Sequence, residues 1–333
     1  MTPLLEAKNL SVTFETKNGR LHALDNVTLQ LNKGETLGLV GESGSGKSTL
    51  ALALMRAVTP TQGNIILKDT EISHLSRRAL RPFRQVMQMI FQDPYASLDP
   101  RMTVRQIIAE PLTALQRLKS DEIEERVQTL LAAVGLPVEA AERRPAQFSG
   151  GQRQRIAIAR AMSVKPEIII ADEPVSALDV SIQAQIVNLL QDIQQQWQMA
   201  YIVIAHDLPL MHQIADRIMV LYLGQLVEEG PAEDVIARPQ HPYTAALLAA
   251  SPRIGQKKEK KLILTGDPPS PIHRPSGCAF HPRCPVAQPQ CRTVAPALSG
   301  SISGSISGSI SGEHRVACHY PGTIPPPLDI PAD

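Results

Sequence analysis

The stretch Gly41-Glu42-Ser43-Gly44-Ser45-Gly46-Lys47-Ser48-Thr49 fits the pattern G-x-x-x-x-G-K-[ST], which is typical of loops that bind the phosphates of a nucleotide. Backbone N–H groups must converge there on several negative charges, and glycines let the chain approach them without a Cβ in the way. Lys47 supplies a cation to the outer phosphates, and the Ser48 hydroxyl is suited to ligate Mg²⁺. We therefore predict nucleotide contacts from Gly41, Ser43, Gly44, Ser45, Gly46, Lys47, Ser48 and Thr49.

The residues on either side of this loop decide the fold. Residues 36–40 are typical of a buried strand entering the loop, and residues 49–55 of a helix leaving it. Such a helix directs its positive N-terminal end at the phosphates. A glycine and serine turn that matched the pattern by chance would not be expected between these two elements. Strands and helices then alternate along the chain, which favours an α/β fold with a parallel sheet.

Composition indicates a globular chain with a distinct C-terminal part. The 333 residues are 43% hydrophobic, enough for a full core, and the net charge of +1 argues against a general binder of nucleic acid or membrane surfaces. Neither a secretion signal nor an apolar run long enough to cross a bilayer is visible, so we expect a cytosolic protein. Half of the 28 prolines and all four cysteines follow Ser251. We therefore divide the chain into residues 1–251 and 252–333.

A second group of strands is expected around the loop. Residues 4–14 and 23–31 flank the turn pair Asn18-Gly19, and residues 64–67 form a further short apolar run. These strands predict an antiparallel β layer beside the nucleotide core. Phe14 ends the first strand; it either stacks on an adenine or packs in the core, as strand phenylalanines more often do.

Polar residues follow three strands whose carboxyl ends should meet at one edge of the sheet. The strand predicted from Glu167 has an apolar run at 168–171 and ends in Asp172 and Glu173, and ligands bind at the ends of such strands. We expect Asp172 to hold Mg²⁺ through water and Glu173 to act as general base toward the attacking water, with a helix cap as the alternative. Gln92, which could reach a metal or water, and His206, which is either functional or a structural hydrogen-bonding group, follow the other two strands.

Two further helices carry motifs. Phe148-Ser149-Gly150-Gly151-Gln152 opens a helix over 153–162, and its N–H groups can face an anion, although a serine-capped glycine turn would look the same. Asp179 precedes a long amphipathic helix over 182–197. The apolar spacing also predicts a helix over 120–134, which we interpret as scaffold.

Taken together, these motifs resemble the ATP-binding subunit of an ABC transporter over essentially the whole chain. The segment 148–152 is specific to that family, although it opens with Phe148 where leucine is more usual. The elements that occur in the family's order are the phosphate loop, Gln92, the segment 148–152, Asp172-Glu173, Asp179 and His206.

The resemblance implies a phosphate-loop ATPase core with an antiparallel β layer and a helical subdomain, followed by the Pro/Cys-rich C-terminal extension. It implies a head-to-tail dimer in which ATP and Mg²⁺ lie between the phosphate loop of one subunit and the signature of the other. In that arrangement Phe14 would stack on the adenine, Gln92 would contact the metal and couple to the permease, and His206 would sense the γ-phosphate. The residues of the trans signature would be Ser149, Gly150, Gly151 and Gln152, with Asp179 in the dimer loop.

A narrower resemblance, to the oligopeptide/dipeptide (also nickel) uptake branch and its second ATPase subunit, is carried by residues 91–103, by His241-Pro242-Tyr243-Thr244 and by the cysteine-bearing tail. It implies a heterodimer with a sister ATPase subunit, two transmembrane permease subunits, an extracytoplasmic solute-binding protein and no nucleic acid. The chain would be peripheral, on the cytoplasmic face of the inner membrane. We expect Tyr95, Leu98 and Met102 to be exposed and to dock a permease helix.

Two other functions agree less well with the sequence. A soluble ABC-type ATPase that acts on ribosomes or DNA usually has two ATPase units or a coiled-coil insertion, whereas this chain has one unit and no heptads. A degenerate binding module that does not hydrolyse ATP is disfavoured because the reactive positions are occupied. Those positions are Lys47, Asp172, Glu173 and His206.

The four cysteines suggest a metal site. Cys278, Cys284, Cys291 and Cys318 are separated by five, six and 26 residues. A disulfide is disfavoured in a reducing cytosol, and zinc sites usually show a C-x₂₋₄-C pair, which is lacking here. Four such cysteines can hold a [4Fe–4S] cluster, and similar tails in the transporter branch are associated with one. His281 and His319 leave a mixed zinc site as the alternative, and the Ser-Ile-Ser-Gly repeat at 301–312 is expected to be a flexible loop.

Overall fold

Two β-sheets form the framework of the chain, which a computed structural model describes over residues 2–116, 118–176, 178–206, 208–250, 266–300 and 313–323. The strands are β1 (Leu5–Thr16), β2 (Gly19–Leu31), β3 (Thr36–Val40), β4 (Gln62–Leu67), β5 (Thr70–Glu71), β6 (Met87–Ile90), β7 (Ile168–Asp172), β8 (Ala200–Ala205), β9 (Arg217–Tyr222), β10 (Gln225–Pro231) and β11 (Arg315–Val316). The Ser-Ile-Ser-Gly repeat lies outside the described residues.

Helices cover the sheets and build a separate layer. They are α1 (Lys47–Leu54), α2 (Phe83–Val86), α3 (Pro94–Ser97), α4 (Val104–Pro111), α5 (Ser120–Ala133), α6 (Gly150–Met162), α7 (Val180–Trp197), α8 (Leu208–Ile214), α9 (Ala232–Ala237), α10 (Pro242–Ala250) and α11 (Pro289–Thr293). A π-helical segment covers Leu112–Gln116, and short 3₁₀ turns cover Val138–Glu142, Pro145–Gln147 and His281–Arg283. Within the described ranges, no helix combines the length and the apolar character needed to cross a bilayer.

The larger sheet has the strand order β11-β10-β9-β3-β8-β7-β6, and β6, β7, β8, β3 and β9 are parallel. Val40 at the end of β3 lies opposite Ala205 at the end of β8. Asp172 at the end of β7 lies opposite Ile204. The phosphate loop and the two carboxylates therefore leave the sheet at the same edge, where parallel α/β sheets bind ligands.

The smaller sheet is antiparallel, with the order β2-β1-β4-β5, and confirms the predicted β layer. The predicted strand at 23–31 begins earlier, at Gly19, because β1 and β2 pair up to the Thr16↔Gly19 position at their turn. One face of this sheet packs against α1 and the main sheet through fully buried side chains, including Leu5, Leu24 and Leu50.

The helical layer contains α3, α4, α5 and α6, and it contradicts part of the expected docking surface. Leu98, which we expected to be exposed, is only 2% exposed and belongs to the core together with Val104 and Ile108, and Met102 is half-buried against the same core. Leu98 follows α3 with an extended backbone, and its side chain is buried in the layer, whereas Tyr95 on α3 is 60% exposed. Apolar character alone could not separate these two orientations.

The C-terminal extension packs on the ATPase core. Strand β11 pairs with β10 and extends the large sheet, with Glu228 opposite Val316. Phe280 is buried against Tyr222 of β9 and Tyr243 of α10, with ring centroids 5.2 and 5.3 Å apart. The division at residue 251 stays a prediction, and the described part of the extension shares one hydrophobic cluster with the core.

Candidate functional site

The phosphate loop runs from the end of β3 to the start of α1, for which Gly46 is the N-cap. Gly46 has a φ of 103°, and a Cβ there would lie 2.6 Å from the carbonyl oxygen of Ala23 on β2. Both the dihedral angle and the neighbouring strand therefore require glycine at this position. The exposed residues of the loop are Ser43, Gly44 and Ser48, and the buried ones are Gly41, Ser45 and Lys47.

Lys47 is directed back into its own loop. Its Nζ donates hydrogen bonds to the carbonyl oxygens of Gly41 and Glu42, each at 2.8 Å. Burial lowers the pKa of Lys47, while the negative charges of Glu173, Asp172 and Glu42 act in the opposite direction. The ammonium lies among these carboxylates, where a phosphate oxygen can replace the loop carbonyls as its acceptor.

Asp172 has the environment of a metal ligand. It is 6% exposed, and its Oδ1 is buried without a hydrogen-bond partner among the described residues. Burial raises the pKa of Asp172, and a hydrogen bond with the Ser48 hydroxyl opposes that rise. A carboxylate oxygen without a donor, beside a hydroxyl, is a set of hard oxygen ligands that suits Mg²⁺.

Glu173 lies between the two other strand-end residues. Its Oε2 accepts a hydrogen bond of 2.8 Å from Gln92 Nε2, and its Oε1 is 3.5 Å from His206 Nδ1. The backbone of Glu173 has a φ of 45°, in the left-handed region, and its N–H donates to Ile204 of β8. A residue other than glycine in this region costs roughly 1–3 kcal/mol, so the conformation is held by the surrounding structure, as is common at functional sites.

Phe14 and Asp179 remain accessible. Phe14 pairs with Leu21 across the β1–β2 hairpin, and its ring is 40% exposed. The core therefore does not enclose this ring, which leaves it free to stack on a base. Asp179 is exposed and is the N-cap of α7.

The signature segment begins α6 within the helical layer. The Ser149 Oγ accepts a hydrogen bond from the Gln152 N–H, and the Gln152 side chain accepts one from the Ser149 N–H. This capping box fixes the first turn of the helix. Gly151 packs so closely on α7 that a Cβ would lie 2.6 Å from Ile182 Cγ2. The remaining residues of the segment are buried Phe148 and half-buried Gly150.

The four cysteines line one pocket in the extension. Its wall also includes Phe280, His241, His281 and His319. Burial raises the pKa of the Cys284 thiol to about 11, and the other three cysteines contribute in the same direction. Within the described ranges, no group of three His, Cys, Asp or Glu side chains is arranged to hold a single metal ion. The cysteines that line this pocket are Cys278, Cys284, Cys291 and Cys318.

Sequence reasoning missed a contact between the extension and the phosphate loop. The Glu42 carboxylate accepts two hydrogen bonds from Arg283, at 2.6 and 3.0 Å, and the Glu42 N–H donates to the Tyr243 hydroxyl at 2.7 Å. Glu42 occupies a variable position of the phosphate-loop pattern, so the motif gave no reason to single it out. Tyr243 belongs to the His-Pro-Tyr-Thr stretch that marked the narrower resemblance.

Comparison with known proteins identifies the family. Residues 24–176 match the ABC transporter family, and residues 227–291 match the oligopeptide/dipeptide transporter C-terminal region. A dimeric ATP-binding cassette bound to ADP and phosphate is 30% identical, with a TM-score of 0.64 over 68% of this chain and 98% of its own. CbiO1 of Clostridium perfringens, part of an ABC transporter complex, is 27% identical with a TM-score of 0.64 over 71% of this chain and 92% of its own. The chain belongs to the ATP-binding proteins of ABC transporters.

Full-length relatives narrow the assignment. The oligopeptide transport ATP-binding protein AppF of Bacillus subtilis is 47% identical over 92% of both chains. The di/tripeptide transport ATP-binding protein DppF of Pseudomonas aeruginosa is 44% identical over 96% of this chain and 98% of its own. Within the ABC family the chain therefore lies in the oligopeptide/dipeptide branch, and the predicted family, fold class and ATPase class are confirmed.

Proposed function

We propose that the chain hydrolyses ATP to power peptide import through a membrane permease. The observation that carries this proposal is the convergence of Lys47, Asp172 and Glu173 at one edge of the parallel sheet, with Gln92 and His206 on either side of the Glu173 carboxylate. The names of the full-length relatives supply the peptide cargo, and each of those relatives is called a transport or import protein. None of these names supports the alternative of an ATPase that acts on ribosomes or DNA.

In the proposed reaction the side chains of the site bind phosphate, bind Mg²⁺ or take a proton. The phosphate loop and Lys47 hold the phosphates, and Ser48 and Asp172 would hold Mg²⁺, which supplies charge neutralisation at the β- and γ-phosphates. Glu173 takes a proton from the attacking water, with its carboxylate held in place by the Gln92 amide. His206 is 63% exposed and can turn from Glu173 toward a bound γ-phosphate.

The complete nucleotide site is proposed to need a second ATPase subunit. Ser149, Gly150, Gly151 and Gln152 belong to the helical layer, whereas the phosphate loop belongs to the sheet core. A head-to-tail arrangement with a sister subunit would bring one signature helix N-terminus against the nucleotide of the other, with Asp179 at the junction. The remaining partners in this proposal are two transmembrane permeases on the cytoplasmic face of the inner membrane and an extracytoplasmic solute-binding protein.

The assembled complex provides the test of this function. Reconstituted with its permeases and binding protein, the chain should hydrolyse ATP faster when a peptide ligand is added and should accumulate that peptide in vesicles. Peptide-independent turnover without uptake would contradict the proposed role.

Tyr95 provides a test of permease docking. Tyr95 is 60% exposed, and the guanidinium carbon of Arg153 lies 3.9 Å from the centroid of its ring. A tyrosine that serves as an interface anchor contributes about 2 kcal/mol or more, so Tyr95→Asp should weaken permease association roughly 30-fold and leave ATP binding unchanged. Co-purification with the permeases and nucleotide titration measure the two effects.

Val138→Asp is the control, because Val138 is an apolar residue of the 3₁₀ turn Val138–Glu142 that is 48% exposed. It should leave both association and ATP binding near normal. Equal loss of association in the two variants would contradict a specific docking role for Tyr95. Leu98→Asp is unsuitable for this test, because it would bury a charge in the core.

We also propose that the cysteine pocket holds a [4Fe–4S] cluster. All four thiols line one pocket. Zinc sites usually show a C-x₂₋₄-C pair, which these four cysteines lack, so we favour the cluster over zinc. The cluster would fix the fold of the extension, and no step of ATP hydrolysis is assigned to it.

Anaerobic purification tests the cluster directly. We expect a brown protein with broad visible absorption and with iron and acid-labile sulfide in equal amounts, and we expect Cys291→Ser to lose most of both. His319→Ala should keep the iron, because a four-cysteine cluster does not use that side chain. Colourless protein with one zinc per chain, lost in His319→Ala, would establish the mixed zinc site instead.

A further inference from the structure

An arginine from the C-terminal extension enters the phosphate loop. Arg283 lies in the 3₁₀ turn His281–Arg283, directly before Cys284, and its side chain is 5% exposed. Both terminal nitrogens donate to the Glu42 carboxylate, in the bidentate geometry that gives the strongest ion pairs. This pair joins residues 241 positions apart, so the extension and the loop are fixed to each other.

Glu42 carries a negative charge at a place that must receive phosphates. Its carbonyl oxygen accepts a hydrogen bond of 2.8 Å from Lys47 Nζ, so Glu42 is in direct contact with the cation that attracts the phosphates. An unpaired carboxylate on this residue of the loop would repel the phosphate groups that Lys47 attracts. The Arg283 guanidinium supplies the compensating charge.

The contact also fixes the shape of the loop. The Glu42 N–H donates to the Tyr243 hydroxyl, and Tyr243 packs against Phe280 of the extension. Glu42 is thus held from its backbone and from its side chain by residues outside the loop. Because small displacements of groups that bind a reactant have large effects, this anchoring bears on nucleotide affinity.

We propose that Arg283 is a positioning residue for the nucleotide, which neutralises Glu42 so that the C-terminal extension sets the affinity of the phosphate loop for ATP. This inference rests on the proposed nucleotide site. It assigns the extension a role in the ATPase reaction that is independent of any metal in the cysteine pocket.

Nucleotide titrations of the purified full-length chain test the proposal. Arg283→Met leaves the Glu42 carboxylate unpaired, so the dissociation constants for ATP and ADP should rise roughly tenfold. The dissociation constant for AMP should rise less, because AMP carries fewer negative charges. The double variant Glu42→Gln/Arg283→Met removes both charges and should bind ATP within about threefold of the wild type.

The recovery in the double variant separates charge from folding. A folded double variant that binds ATP as weakly as Arg283→Met would show that Arg283 acts only through structure, and unchanged affinity in Arg283→Met would overturn the proposal outright. If Arg283→Met does not fold, the double variant decides the question, since it contains no unpaired charge. Thermal unfolding is recorded for every variant.

Arg274→Met is the matched control. Arg274 is another extension arginine, 15% exposed, but its carboxylate partner at 2.7 Å is Asp25 on β2. The Arg274→Met variant should bind ATP within about twofold of the wild type. A tenfold loss of affinity in this variant would show that any weakening of the contact between the extension and the core lowers ATP affinity, and that Arg283 has no specific role. The wild-type chain and Lys47→Ala are titrated with ATP first. If the wild type does not bind ATP, or if Lys47→Ala binds ATP equally well, the proposed nucleotide site is wrong, independently of Arg283.

Discussion

Glu173→Gln is expected to reduce steady-state ATP hydrolysis by the assembled transporter about 10²–10⁴-fold while ATP binding is retained. Glutamine keeps the shape of the side chain, and its amide oxygen can still accept the hydrogen bond that Gln92 Nε2 donates to the carboxylate at 2.8 Å. It cannot take a proton from water. The variant should therefore accumulate an ATP-bound closed dimer, which size-exclusion chromatography with ATP detects.

Glu167→Gln is the control, because Glu167 precedes the same strand at its opposite end and pairs on the surface with Lys68. It should hydrolyse ATP at nearly the wild-type rate. Near-normal turnover by Glu173→Gln would remove Glu173 from the role of general base.

Gly46→Ala is expected to abolish the function of the phosphate loop. Its φ of 103° disfavours alanine, and the new Cβ would lie 2.6 Å from the carbonyl oxygen of Ala23 in β2. We expect a loss of folding stability on the order of 3 kcal/mol and a roughly 100-fold loss of ATP turnover, as Lys47 and Ser48 are displaced together. Thermal unfolding without nucleotide and ATPase assays measure the two effects.

Gly44→Ala separates backbone strain from collision. Gly44 has a φ of 78°, but a Cβ there would have no described neighbour within 4 Å. Its loss of stability without nucleotide should be only about 1 kcal/mol. Equal destabilisation by the two alanines would contradict the role assigned to Ala23.

The sequence predicts the edge of the sheet that carries the candidate nucleotide site, because each element there is specified by neighbouring residues. Thr36 to Val40, the glycine loop and the helix after it are contiguous, and each element is specified by its own residues. The strand-end positions of Gln92, Glu173 and His206 followed from the rule that parallel strands end together. The distances among them, including the 2.8 Å hydrogen bond, depend on side-chain packing that no pattern encodes.

The missed features are those made by residues distant in sequence. Tyr95 of α3 and Leu98 directly after it are both hydrophobic, and only the layer packed against them decides which is buried. The Glu42–Arg283 pair joins two segments that carry no common motif. Strand β11 has two residues, too few for any periodicity to be recognised.

Strand β11 has a consequence for synthesis on the ribosome. Glu229 of β10 pairs with Arg315, 86 residues later, and Glu228 accepts a hydrogen bond of 2.7 Å from His314 in an environment where it is 0% exposed. At 5–20 residues per second, roughly 4 to 17 s pass between translation of the two strands. During that interval the nascent chain presents an unpaired strand edge and a carboxylate without its histidine partner. Premature stop codons before His314 should therefore yield products that are taken up by chaperones and degraded, even though every residue of the phosphate loop is present.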